Sequence, residues 1–181
     1  TNPDVNEYYL KLKEYYSNGI RVGKFETFSS VGKIVSGNYI NGKKEGVWKE
    51  FTSYDMRTQK KYDYTYLERV LIYKNNKLNG EQLEYYPNGN LRFQRNYCWA
   101  KLDDIDPSAY NDHPPHTIDE DGYTYLMTEF GESLTFYENG NVSERKIYRM
   151  EFSSNYYDYA MDGPYFQYFD NGKVMTKGFY S

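Results

Sequence analysis

The chain has 181 residues, of which 20% are aromatic and 24 are tyrosine, with a net charge of −4 and a mean hydropathy of −0.96. This richness in rings excludes a disordered chain, and no apolar stretch approaches the roughly 20 residues of a membrane-spanning helix. The length allows one ordinary domain or an elongated array of small repeats. Tyrosine suits a thin fold, because its ring can be buried while its hydroxyl reaches water.

The first predicted element lies near the N-terminus. Residues 6–16 form either a short helix or the first strand of a partial repeat that ends at Gly19, and we favour the strand. The chain starts at Thr1 without Met, which favours an exported or cell-surface protein whose leader was removed, with a cytoplasmic protein as the alternative.

A repeated pattern dominates the rest of the chain. The segments 80–97, 131–148 and 163–180 align without gaps on G-x-x-[LF]-x-[YF]-[YF]-x-N-G-x7-Y. Two degenerate copies begin at Gly23 and Gly46, and the second contains an insertion before Tyr73. We call the first glycine of each copy its lead glycine. Such self-similarity at a fixed spacing indicates a repeat architecture.

Each copy predicts a β-hairpin. Apolar and polar residues alternate as in a strand. The Asn-Gly pairs at 88–89, 139–140 and 171–172 predict two-residue type I′ turns, and the linkers repeat the signal at 41–42 and 79–80. A single hairpin is marginal in water, so stacked units are expected to bury a ring from each against its neighbour. These rings are Phe28, Phe51, Tyr85, Phe136 and Tyr168.

We therefore predict one all-β domain over residues 1–181, an elongated tandem array of antiparallel hairpins. It comprises a partial unit at 10–22, units at 23–45, 46–79, 80–130, 131–162 and 163–181, and insertions at 52–72, 98–130 and 149–162. Within the first insertion, KKYDYTYLERVLIY predicts a long strand.

The insertion at 98–130 carries an unusual charge. Between Lys101 and Arg145 there are eleven acidic and no basic residues, which favours a partner with a basic surface. The predicted acidic patch comprises Asp103, Asp104, Asp106, Asp119, Glu120 and Asp121. His113 and His116 suggest a metal site as a secondary hypothesis, but the two prolines between them and the lack of an EF-hand spacing favour a solvated loop.

Clustered tyrosines are the candidate binding residues. They serve either as core and cross-strand ladder residues or as an exposed binding face. The first two groups alternate along strands, whereas the third lies in a short insertion and is expected to be exposed. The groups are Tyr62, Tyr64 and Tyr66; Tyr123 and Tyr125; and Tyr156, Tyr157 and Tyr159.

No catalytic constellation is evident. The sequence has no nucleophile elbow, no P-loop and no dinucleotide fingerprint, so we predict neither an enzyme nor a cofactor. Its single cysteine, Cys98, excludes an intrachain disulfide and favours a small buried hydrophobe. The pairs Lys43-Lys44 and Lys60-Lys61 are too small for a nucleic-acid footprint.

The motifs GVWKEF at 46–51, EYYPNG at 84–89 and FYENG at 136–140 resemble the MORN repeat family, particularly its bacterial, antitoxin-like variant. The resemblance implies a curved array of hairpins that attaches to membranes, scaffolds or contacts proteins, and it supplies no catalytic residue. The chain departs from the family pattern in having Trp in only one unit and in its long insertions.

The leading hypothesis is a non-catalytic protein-binding or scaffolding module, which can also form homo-oligomers through its sheet edges. The alternatives are an antitoxin-like neutraliser, indicated by a toxin gene next to its own, and recognition of carbohydrate or lipid headgroups by exposed tyrosines. Glycan-array or liposome binding distinguishes the last of these.

Overall fold

The computed structural model describes residues 11–102, 116–118, 124–148 and 163–180, and every regular element within these ranges is a strand. The all-β prediction is confirmed. The strands are β1 (Leu12–Ser17), β2 (Ile20–Ser29), β3 (Gly32–Ile40), β4 (Lys43–Asp55), β5 (Lys60–Lys74), β6 (Lys77–Tyr85), β7 (Leu91–Leu102), β8 (His116–Ile118), β9 (Thr124–Glu129), β10 (Gly131–Phe136), β11 (Val142–Tyr148), β12 (Gly163–Tyr168) and β13 (Val174–Tyr180).

All of these strands belong to one antiparallel sheet, in which each strand follows its predecessor from β1 to β7 and the order then continues β10, β11, β12 and β13. Strand β9 pairs with β7 and with β8, off the main path. The main path after β1 consists of five hairpins, which are β2–β3, β4–β5, β6–β7, β10–β11 and β12–β13. The long predicted strand in the first insertion is β5.

The turns inside the last three units are not of the predicted type I′. In the third unit Gly89 donates to the carbonyl of Tyr86 at 2.9 Å, and the N–H of Tyr86 donates to the carbonyl of Asn90 at 2.8 Å. Gly89 has a φ of 85°, whereas Asn88 is not among the residues with positive φ. This is a three-residue loop, a type I turn followed by a left-handed glycine. Asn88 favours it because its Oδ1 accepts the N–H of Asn90 at 2.9 Å.

The linker turns lie at the opposite end of the sheet and do adopt type I′ geometry. Asn41-Gly42 has φ values of 49° and 77°, as predicted. The prediction for Asn79-Gly80 is wrong, because the turn lies at Asn75-Asn76, with φ values of 52° and 66°, and Gly80 lies within β6. A second asparagine tolerates the left-handed region well enough to replace glycine. The Asn18-Gly19 turn has the conformation of the Asn41-Gly42 turn.

Adjacent units are joined at the turn end by a set of side-chain hydrogen bonds. The hydroxyl of Tyr86 donates to the carbonyl of Phe136 at 2.8 Å. The amides of Asn88 and Asn90 both donate to the carbonyl of Glu138, at 3.0 and 2.8 Å. Residues 98–130 therefore do not prevent the third and fourth units from stacking directly. The same bonds join the fourth and fifth units, from Tyr137, Asn139 and Asn141 to Tyr168 and Asp170.

The sheet has little interior, and its core lies in the first two units. Trp48 is 1% exposed and packs against Phe25, Tyr39 and Tyr73 with ring centroids 5.1 to 6.0 Å apart. We call this side of the sheet the tyrosine face, since it carries the tyrosine that closes each unit. The prediction that Phe28, Phe51, Tyr85, Phe136 and Tyr168 form the buried stack is wrong: these rings are half-buried.

Candidate functional site

The second unit carries an extension that makes its hairpin the longest in the described sheet. Strands β4 and β5 have 13 and 15 residues, and residues 52–67, which we call the hairpin extension, prolong them beyond the neighbouring turns. The pairing is irregular, because Thr52 faces Tyr66 but Tyr54 faces Lys61. The three additional residues on the β5 side produce a bulge, which is a common way to redirect side chains.

The tip of the extension is fixed by a buried carboxylate. Asp55 is 7% exposed, and its Oδ1 accepts the N–H of Arg57 at 2.9 Å while its Oδ2 accepts the Thr58 hydroxyl at 2.7 Å. Burial opposes ionisation of Asp55, but the hydrogen bonds from Thr58 and Arg57 outweigh it and hold the pKa below its ordinary value. The turn is therefore organised around a charged acceptor.

Arg57 ties this tip to later units. Its guanidinium lies 5.1 Å from the ring centroid of Tyr86 in the third unit, a cation–π distance. Its Nη2 lies 3.5 Å from a carboxylate oxygen of Glu138 in the fourth unit. The extension thus contacts both the third and the fourth unit, which the hydrogen bonds of Tyr86 and Asn88 join.

The extension also presents large apolar side chains to solvent. Met56 is 77% exposed, Tyr64 48% and Tyr54 38%. The ring of Tyr64 is supported by Tyr62 at a centroid distance of 5.3 Å, and Tyr62 in turn contacts Tyr66 at 5.7 Å. Supported aromatic rings and exposed methionines are typical of protein contact surfaces.

The three tyrosines predicted here are therefore brought together, and they combine the two roles that the sequence left open. Tyr62 and Tyr66 are half-buried supports, and Tyr64 is exposed. Burial, together with the charge of Asp55, raises the pKa of Tyr66 to about 12, so its hydroxyl stays protonated. Sequence reasoning missed Tyr54 and Met56, for which the only signal was their place in an insertion.

The remaining predicted site residues lie outside the described residues or are described only in backbone. Tyr125 and His116 lie on β9 and β8. Outside the described ranges are Tyr123, Tyr156, Tyr157, Tyr159, His113, Asp103, Asp104, Asp106, Asp119, Glu120 and Asp121. Within those ranges, no group of three or more His, Cys, Asp and Glu residues could hold a metal ion. No helix of the described part is long and apolar enough to cross a membrane.

A second feature is a depression on the tyrosine face between β5, β6 and β7. It is lined by Leu71, Gln82, Phe93, Arg95 and Tyr97. The register places these residues side by side, because Leu71 pairs with Gln82 and Gln82 pairs with Arg95. Arg69 and Glu84 form its edge nearest the turn end.

The charges around this depression are balanced in pairs. Arg69 lies 2.7 Å from Glu50, Arg92 lies 2.5 Å from Glu84, and Arg95 lies 3.2 Å from Glu129. Two donors in it lack an acceptor within the part of the chain that the structure describes. They are Nε2 of Gln82 and Nε of Arg95.

Comparison with known proteins identifies the repeat. The family model described as the MORN repeat variant matches residues 78–98, 131–149 and 161–181, about a third of the chain. The comparisons with curated proteins and with solved structures found no match. The MORN repeat is a non-catalytic module that is generally associated with protein or membrane-lipid binding. Three units of this chain are thus similar to the MORN repeat variant.

Proposed function

We propose that the chain is a protein-binding repeat module whose hairpin extension contacts the partner. The observation that carries this proposal is the exposure of Met56, Tyr64 and Tyr54 on a hairpin extension whose tip Asp55 and Arg57 hold in place. A rigid surface loses little conformational entropy on binding, and large side chains bury much area there. The repeats supply the frame that presents this tip.

The test compares a variant that removes exposed side chains from the hairpin extension with a control variant that removes an exposed side chain from β13. The full chain captures partners from an extract of its source cells, and each captured polypeptide is purified and titrated against the wild type and the variants. We expect Met56→Ser combined with Tyr64→Ala to weaken binding at least tenfold, as loss of a hot spot does. The control, Met175→Ser on β13, removes a methionine that is 48% exposed and should bind as the wild type does. Equal binding by all three proteins contradicts the proposal.

A lipid surface is a second candidate, supported by the linker end of the sheet. Ile20, Ile40 and Val47 are each about half exposed there, close to the exposed Lys43 and Lys74. Aliphatic side chains beside lysines suit an anionic interface. Sedimentation with phosphatidylserine vesicles tests it: Lys43→Glu with Lys74→Glu should abolish binding, and no sedimentation of the wild type would refute it. The antitoxin-like and carbohydrate hypotheses remain predictions.

A further inference from the structure

One position of the repeat, which in the third unit lies beside the depression, carries different side chains in different units. The residue two positions after the lead glycine is aromatic in the first, second and fifth units, as Phe25, Trp48 and Tyr165, but is Gln82 in the third and Ser133 in the fourth. The rings of Trp48 and Tyr165 cover glycines so closely that a Cβ at Gly37 or Gly178 would lie 2.1 or 2.2 Å from them. The third unit contributes no ring at this place, and the depression lies there.

The chemistry of the lining defines what would fit. Leu71, Phe93 and Tyr97 provide apolar and aromatic walls. Burial raises the pKa of the Tyr97 hydroxyl, and its hydrogen bond to Glu129 at 2.7 Å raises it further, so this wall remains neutral. The three arginines nearby already lie beside carboxylates, so neither a charged acid nor a charged amine is favoured.

The donors without an acceptor add a polar preference. A buried donor left unpaired is unfavourable, so a ligand that brings an oxygen to Gln82 Nε2 or Arg95 Nε relieves that cost. A ring that carries an oxygen, such as a tyrosine side chain, combines both requirements. Its flat surface would also lie beside the guanidinium of Arg95, which already stacks 4.7 Å from the ring centroid of Phe93.

We propose that the depression beside Gln82 receives one aromatic side chain of a bound polypeptide, in the place where the first, second and fifth units supply a ring of their own. The inference rests on the proposed protein-binding function and adds a second contact, on the tyrosine face, to that of the hairpin extension.

A displayed library of random peptides tests this on the full chain. Binders selected on the wild type are titrated against Gln82→Trp, which fills the depression, and against Lys49→Trp, which adds a ring at an exposed site on the opposite face of the sheet. We expect peptides that lose at least tenfold affinity for Gln82→Trp to be enriched in Tyr, Phe and Trp. Lys49→Trp should bind them within about twofold of the wild type.

Each other outcome has a distinct meaning. Binders that are insensitive to Gln82→Trp but lost in the Met56→Ser, Tyr64→Ala variant overturn this inference and leave the proposed function standing. Sensitive binders without aromatic enrichment overturn it as well, and a library without any binder contradicts both proposals. Thermal unfolding of Gln82→Trp confirms that the variant is folded, and replacing the peptide's ring by Leu should reproduce the loss on the wild type.

Discussion

At the scale of single residues, stability depends on the fit of one ring against one glycine. Trp48 is the most buried large side chain in the described sheet, and it reaches that state because Gly37 has no side chain beneath the ring. Gly37→Ala forces a displacement of the ring, since the new Cβ would lie 2.1 Å from Trp48 Cδ2. We expect a loss of about 1–3 kcal/mol in the free energy of unfolding, measured with urea.

A double-mutant cycle identifies the cause of that loss. In a Trp48→Leu background the clash is gone, so Gly37→Ala should cost less than about 0.5 kcal/mol there. Equal costs in both backgrounds would mean that the backbone of β3, rather than the ring, requires glycine.

Another residue-scale prediction concerns the hydroxyl of Tyr86. Tyr86→Phe keeps the ring and removes only the donor to the carbonyl of Phe136, which is left without that bond. We expect a destabilisation of about 1 kcal/mol in chemical unfolding. Tyr64→Phe is the matched control, because the Tyr64 side chain is 48% exposed and its hydroxyl can bond to water in either state. Identical midpoints for both variants would show that the inter-unit bond contributes nothing.

At the scale of elements, much of the architecture follows from the sequence. The alternating strands and the long β5 were predictable from periodicity and from Gly and Asn positions. The turn geometry was not, because Asn-Gly is compatible both with a type I′ turn and with a type I turn followed by glycine. The choice depends on the Asn88 side chain capping the N–H of Asn90, a contact that no pairwise sequence rule specifies.

The candidate site was less predictable, for a related reason. Tyr62, Tyr64 and Tyr66 stood out as a cluster, but which of them is exposed depends on the bulge in β5. The depression depends on a residue that is absent from a row rather than on one that is present. Aligning the five units by their lead glycines would have revealed the missing ring at Gln82, but the fourth unit, with Ser133, lacks a ring there as well.

The hairpin extension should respond to pH through Asp55. Because the folded-state pKa is depressed below the ordinary value of 3.8, the carboxylate stabilises the tip above that value. This stabilisation is lost as pH falls through the folded pKa. At pH 7 we expect Asp55→Ala to speed amide exchange at Arg57 and Thr58 at least tenfold, measured by NMR. In the wild type the same opening should be absent between pH 7 and 5 and emerge below about pH 4.

A control separates this effect from general acid destabilisation. In the Asn41-Gly42 turn the N–H of Gly42 donates to the backbone carbonyl of Arg21 at 2.8 Å, not to a carboxylate, and it should keep its protection over the same pH range. If tip and linker turn open together as pH falls, Asp55 is not the group responsible.

At the scale of the whole molecule, contacts between neighbouring units should govern cooperativity. In a repeat array the stability is approximately a sum of unit terms and nearest-neighbour terms, so a weak interface can divide one transition into two. The third and fourth units are joined by the pairing of β7 with β10 and by the bonds from Tyr86, Asn88 and Asn90.

Removing these side-chain bonds together tests that view. The variant Tyr86→Phe, Asn88→Ala, Asn90→Ala should lose about 2–4 kcal/mol at this interface while leaving the core around Trp48 intact. With Trp99 replaced by Phe so that Trp48 is the only tryptophan, we expect two urea transitions, in which the fluorescence changes only in the later one, because the ring cluster belongs to the first two units. The control is Asn171→Ala, because the side-chain amide of Asn171 donates no described hydrogen bond to another unit. This variant should unfold in one step. A single transition for the triple variant, displaced but undivided, would mean that backbone pairing alone carries the cooperativity between units.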